Sequence, residues 1–143
     1  MLGGGIDAWL GPLVDGEEEI APLEFVAKPR AGDVIEAEEL LGRLDDPSLV
    51  VVDARVPERY RGDVEPIDPV AGHIPGARNL PYTEVTEPPP DLLRADDIVV
   101  YCGSGITACV DLLALAHAGR ADAKLYPGSW SDWSTRGLPV ERG

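Results

Sequence analysis

From Val34 onward the apolar residues fall into short unbroken runs separated by polar or Gly/Pro-rich breaks. Leu49-Val50-Val51-Val52, closing on Asp53, and Ile98-Val99-Val100, closing on Tyr101, are too continuous for strands with one wet face. Such runs predict strands covered on both sides. Spaced apolar positions over Ala37 to Leu44, and again from Val110 to His117 after Thr107, predict helices. A short helix is expected near Asp91 to Ala95 and a terminal one near Trp130 to Thr135, with further extended pieces near Ala77 to Leu80 and Lys124 to Tyr126. A Pro/Gly-rich loop spans about Gly62 to Gly76. Strands alternating with helices predict an α/β domain on a mainly parallel central sheet flanked by helices. In such sheets ligands gather at the carboxyl ends of strands.

The first thirty-odd residues follow a different pattern. Glu17-Glu18-Glu19, Pro22, Pro29 and the scarcity of periodic apolar positions read as a linker. Ahead of it, Gly4 to Trp9 (GGIDAW), followed by Leu13-Val14, echoes Gly128 to Trp133 (GSWSDW), followed by Leu138-Pro139-Val140. A terminal signature that occurs twice predicts two copies of one domain. Residues 1–33 are then the tail of a preceding copy plus linker, and residues 34–143 a whole copy. At 143 residues, 44% of them hydrophobic, the chain can bury one core.

Charge narrows the function classes. Twelve Lys and Arg against 26 Asp and Glu give a formal net charge of −14, which argues against nucleic acid or an anionic membrane as partner. An anionic substrate would need a local exception. Arg55, Arg59 and Arg61 crowd into one short stretch, and the planar guanidinium suits carboxylates and sulfur oxyanions. The N-terminus has neither a basic start nor a signal-length apolar run, and nowhere do about 18 apolar residues follow one another. The expected compartment is the cytoplasm, where two cysteines would stay unbridged.

One of those cysteines sits where chemistry is expected. Cys102 ends the strand at Ile98 to Tyr101, and Gly103-Ser104-Gly105-Ile106-Thr107 leads into a helix. That placement sets the sulfur over backbone N–H groups and the positive end of a helix dipole, which lowers a thiol pKa and favours the nucleophilic thiolate. Ser104 and Thr107 can donate further hydrogen bonds. The alternative is a small hydrophobe finishing a strand. Several other chemistries lack their residues. A cysteine phosphatase loop would close on Arg where Ala108 stands, and Cys102 and Cys109 are too far apart for Cys-x-x-Cys. Cys102, Cys109, His73 and His117 lack zinc-ligand spacing, so no metal is expected. There is no Gly-x-Ser-x-Gly and no phosphate loop. Cys109, on the first turns of the helix, reads as a packing residue.

Taken in order, Val52-Asp53-Ala54-Arg55, Glu58-Arg59-Tyr60, Gly72-His73-Ile74-Pro75-Gly76-Ala77, Cys102-Gly103-Ser104-Gly105-Ile106-Thr107-Ala108 and Gly128-Ser129-Trp130 resemble the rhodanese sulfurtransferases. The Cys-Gly-Ser-Gly loop is similar to that of the tandem 3-mercaptopyruvate enzymes, whereas thiosulfate enzymes of that type usually have basic residues at the places of Gly103 and Ser104. The resemblance implies a rhodanese fold and a persulfide on Cys102, assisted by Ser104 and Thr107. It implies an anionic sulfur donor held by Arg59, with the loop residues Gly103, Gly105 and Ile106 beside it, and a thiol or cyanide acceptor. No metal or organic cofactor is implied. Asp53, Arg55 and His73 are expected to be structural, with Arg55 in a buried ion pair, and Trp130 and Trp133 core aromatics. The second substrate Arg common in mercaptopyruvate enzymes has no counterpart in Glu65-Pro66-Ile67-Asp68-Pro69, and Arg61 is the expected substitute. Tandem members cover the cysteine loop with their first half, so a missing N-terminal domain, or a second copy of the chain, is an expected partner. The alternative within the same fold is a sulfur relay or regulatory module with little turnover.

Overall fold

β1 (Leu49–Asp53) and β3 (Asp97–Tyr101) lie side by side at the centre, parallel, in register from Leu49 opposite Asp97 to Asp53 opposite Tyr101. The short strands β2 (Arg78–Asn79) and β4 (Lys124–Leu125) flank them, giving the order β2-β1-β3-β4 with every pairing parallel. Val34 adds an isolated parallel bridge to Leu125 at the outer edge. This computed structural model describes residues 4–17, 21–28, 30 and 32–143. Glu18, Glu19 and Pro29 of the expected linker lie outside the described residues.

Both faces of the sheet are covered, as the unbroken apolar runs require. Val51, Val99 and Tyr101 point into one layer with Ile35, Leu40, Ile74, Tyr126, Trp130 and Trp133. Alternate residues Val52, Ala54, Ile98, Val100 and Cys102 point into the other, with Leu92, Ala108 and Leu115. The first layer is closed by α1 (Ala37–Leu41) and α4 (Ser129–Thr135), the second by α3 (Ala108–His117) and a 3-10 turn at Leu92–Arg94. Trp130 and Trp133 are fully buried, and each satisfies its indole N–H on a carbonyl, of Val70 and Pro139 respectively. Truncating either to Ala would cost about 3–5 kcal/mol.

The expected elements are present with small shifts at their ends, together with two that the sequence pattern does not predict, a 3-10 turn at Gly5–Ala8 and a short helix after β1. α2 (Pro57–Arg61) is a single turn with Pro57 in its first positions and Gly62 closing it at φ 79°. Its sequence, PERYR, has no apolar period to announce it. Cys109 also departs from expectation: it is exposed rather than packed. Ala108, Asp111 and Leu115 take the sheet-facing side of α3 at helical spacing, which turns Cys109 outward.

Candidate active site

Cys102 follows β3 at its carboxyl end, and α3 begins six residues on with Ala108. The loop between them is pinned from below. The Cys102 N–H donates to Ser129 Oγ (3.1 Å), whose hydroxyl donates to the Tyr126 carbonyl (2.9 Å). The N–H groups of Trp130 and Ser131 donate to the carbonyls of Cys102 and Gly103, each at 3.0 Å. Ser129 takes φ 55° to make these bonds, a sparsely populated conformation for a residue with a Cβ. Gly105, at φ 80°, runs so close to the 126–128 turn that a Cβ would stand 2.7 Å from the Pro127 carbonyl oxygen.

Cys102 is only 1% exposed. Burial pushes its pKa up, but the Thr107 hydroxyl and the N–H groups of Ala108, Ser104 and Gly105, close to the sulfur, push it down. Together they outweigh burial and hold the thiol below its ordinary value. The N-terminus of α3 adds its dipole in the same direction. The group can therefore be an anion in a place from which water is nearly absent, an arrangement that favours a nucleophile.

A cavity of about 430 Å³ opens beside the sulfur. Gly103, Ser104, Ile106 and Thr107 line it from the loop, and Arg55, Arg59 and Asp68 from the facing wall. Arg55 is a strut: its Nη2 donates to Asp53 Oδ2 and to the Gly72 carbonyl, each at 2.6 Å, and its guanidinium stacks on the Trp130 ring at 4.7 Å. Asp53 is fully buried and also accepts from the Arg55 backbone N–H (2.8 Å). Arg59, on α2, donates from Nε and Nη2 to Glu65 (3.3 and 2.6 Å) and from Nη2 to Asp68 (3.0 Å). The wall thus sets two guanidinium groups against the three carboxylates Asp53, Glu65 and Asp68, a formal sum of −1. Arg59 Nη1 has no acceptor among the described residues. It leans on the cysteine loop, where a Cβ at Gly103 would come within 3.3 Å of it.

The other expected residues are elsewhere. Arg61 does not line the cavity: it is exposed and pairs with Asp63 at 2.8 Å. Two residues past Arg59 on one helical turn, it points about 200° away, so it is no substitute for a second substrate Arg. His73 is buried, its Nδ1 donating to the Tyr60 carbonyl (2.8 Å) and its ring stacked on Tyr60 at 3.9 Å between centroids. It fixes the turn that leads to β2. Among the described residues no three His, Cys, Asp or Glu side chains converge in a way that would hold a metal ion. No helix among them is long and apolar enough to cross a membrane.

Residues 36–136 match the rhodanese-like domain model. The chain belongs to the rhodanese family. It is 44% identical to a probable 3-mercaptopyruvate sulfurtransferase of Pseudomonas aeruginosa, over 94% of this chain and 54% of that protein. The human 3-mercaptopyruvate sulfurtransferase is 35% identical over 99% of this chain and 54% of its own length. A crystal structure of a probable thiosulfate sulfurtransferase superposes with a TM-score of 0.66 at 34% identity, covering 87% of this chain and 55% of that one. The chain spans about half the length of the curated relatives it matches.

Two residues join this rhodanese site that the motifs do not point to, and a third lies buried on the sheet-facing side of α3, outside the cavity. Glu65 and Asp68 come to Arg59 only through the closing of the 62–76 loop, which no local pattern encodes. Asp111 does carry a signal: it stands between Ala108 and Leu115 on the apolar side of an otherwise apolar helix. Its carboxyl is fully buried, and neither oxygen has a partner among the described residues. Burial first, and the charge of Asp53 second, raise its pKa to about 7.

Proposed function

We propose that this chain is the catalytic half of a sulfurtransferase that carries sulfane sulfur on Cys102. The observation that carries the reading is a nearly buried sulfur at the wall of a cavity, where Thr107 and the N–H groups of Ala108, Ser104 and Gly105 hold its thiol below the ordinary value against burial. Such a cradle stabilises a thiolate and, one atom further out, a persulfide anion. The preferred donor is 3-mercaptopyruvate. The Cys102 thiolate attacks the mercaptopyruvate sulfur, the C–S bond breaks, and its electron pair leaves with the carbon as pyruvate enolate, which takes up a proton. With thiosulfate the attack falls on the outer sulfur, the S–S bond breaks and sulfite leaves. The persulfide then passes its outer sulfur to a thiol or to cyanide. Ser104 lines the cavity, and its hydroxyl assists proton transfer to the departing enolate in this reading. Arg59 Nη1 takes the donor's carboxylate. Both cysteines are free, in keeping with a reducing, cytoplasmic setting.

The neutral Gly103-Ser104 pair supports mercaptopyruvate over thiosulfate, since it offers no charge to a second anionic group. Incubation with donor should leave a sulfur adduct on Cys102 by mass spectrometry, with kcat/KM higher for mercaptopyruvate. An adduct found only on Cys109 would refute the assignment, and a preference for thiosulfate would refute the donor.

One observation favours a dependence on a covering domain. Ile106, Val110 and Leu113 form an exposed apolar stripe from the cysteine loop along α3. Of the described residues ahead of Val34 none is buried, Leu10, Val14, Leu23 and Phe25 among them. Apolar surface of this kind marks a contact face. We take its occupant to be another rhodanese domain, so that the chain alone forms the persulfide but turns over slowly, in the manner of a sulfur relay.

A further inference from the structure

The wall opposite Cys102 offers an anion one open contact, Arg59 Nη1, with carboxylates on either side of it. Glu65 occupies the Nε side of the Arg59 guanidinium and Asp68 shares Nη2, so a carboxylate binding at Nη1 must lie beside two carboxylates already there. A persulfide anion on Cys102 would add a further negative charge. Asp68 is 5% exposed by its side chain and lines the cavity. Its Oδ2 is held by Arg59, while Oδ1 has no donor among the described residues. A free guanidinium N–H pair and an unclaimed carboxylate oxygen thus stand against the same guanidinium, both at the rim of the sulfur site.

We propose that Asp68 selects the sulfur acceptor: a small thiol carrying an α-ammonium next to its carboxylate, the carboxylate on Arg59 Nη1 and the ammonium on Asp68 Oδ1. Its carboxylate and ammonium cancel at a wall that sums to −1, which leaves the thiolate as the only net charge brought in, and they meet both orphan groups at once. The inference rests on the persulfide reading above. The acceptor thiolate attacks the outer sulfur of the Cys102 persulfide and the new S–S bond forms. The Cys102 Sγ–S bond breaks, and its electron pair returns to Sγ as the thiolate the loop already stabilises. No oxidant or reductant is consumed.

The test reads the acceptor step alone. The full chain is loaded with sodium polysulfide, which bypasses the donor site, and the adduct on Cys102 is verified by mass spectrometry. Its discharge is then timed with L-cysteine and with N-acetyl-L-cysteine, which keeps thiol and carboxylate but lacks the ammonium, each rate being divided by the thiolate concentration. One charge-assisted hydrogen bond predicts discharge about tenfold faster with L-cysteine. In Asp68→Asn that preference should fall to about unity. Equal corrected rates in the unmodified protein, or a preference that survives Asp68→Asn, would overturn the inference. The first comparison needs no variant, so misfolding of Asp68→Asn leaves the test intact. Failure of Cys102 to take up sulfur at all would instead sink the persulfide reading.

Discussion

Cys102 and Asp111 are two acids buried in the same apolar layer between the sheet and α3, and they are driven in opposite directions. Burial raises the pKa of both. At Cys102 a hydroxyl and three backbone N–H groups reverse that effect, and the thiol ends below its usual value. At Asp111 nothing does: no donor reaches either oxygen among the described residues, and the carboxyl is pushed up to about 7. The difference is one of backbone geometry. A loop between strand and helix has N–H groups to spare, whereas Asp111, in the first turn of α3, turns its carboxyl sideways into an apolar layer that offers none. Exclusion of water makes a strong nucleophile only where such donors come with it.

The most drastic test of this contrast removes the sulfur. Cys102→Ser should abolish the donor-dependent sulfur adduct and turnover, because the less acidic hydroxyl cannot supply the anion the cradle is built for. Cys109→Ser, on the outward side of α3, should leave both unchanged. Equal loss in the two variants, by mass spectrometry and steady-state assay, would contradict the division of roles between the two cysteines.

The buried carboxyl can be removed in its turn. The folded pKa of Asp111, about 7, lies above its ordinary value of 3.8, so the folded state prefers the protonated acid. Stability from this group is present in full below pH 4 and is lost as pH climbs towards 7, about 4 kcal/mol over the interval. Asp111→Leu should flatten that slope and raise stability at pH 8 by about 2–4 kcal/mol, read from urea midpoints across pH. An unchanged slope would show that the carboxyl has found donors after all.

A milder change probes a single donor. Thr107→Val removes the hydroxyl that lowers the Cys102 thiol while keeping shape, so the thiol pKa should rise towards the value burial alone would set. The pH midpoint of iodoacetamide alkylation should move up, and persulfide formation at neutral pH should slow by up to about tenfold. A midpoint that does not move would assign the lowered pKa to the backbone and the helix dipole alone.

The same contrasts separate what is legible in the sequence from what only folding decides. β1, β3 and the Cys102 loop are legible because continuous apolar runs and a Cys-Gly-Ser-Gly sequence are local. α2 is not, since a five-residue turn bounded by Pro57 and Gly62 gives no period. The outward turn of Cys109 and the burial of Asp111 follow from one helical phase, which the apolar composition of α3 leaves undetermined: Val110 and Leu113, both exposed, could equally have faced the sheet. The clamp on Arg59 by Glu65 and Asp68 depends on where a loop without repeating structure closes, and only nearness in the chain draws Arg61 towards the site.

That loop has a consequence for how such a protein can diversify. Cys102 is carried by a strand, a helix and the turn under it. The residues that flank Arg59 are carried by the irregular 62–76 segment, tied down at its far end by Trp130 Nε1 on the Val70 carbonyl and by the backbone pairing of His73 with Glu141. Between Asp63 and Pro69 no backbone hydrogen bond to the sheet is at stake. On the proposed sulfurtransferase reading, exchange of a few side chains there, or a change in length, would alter which molecule is welcomed without touching the surroundings of the sulfur. The reagent is inherited with the scaffold, and its clientele can drift.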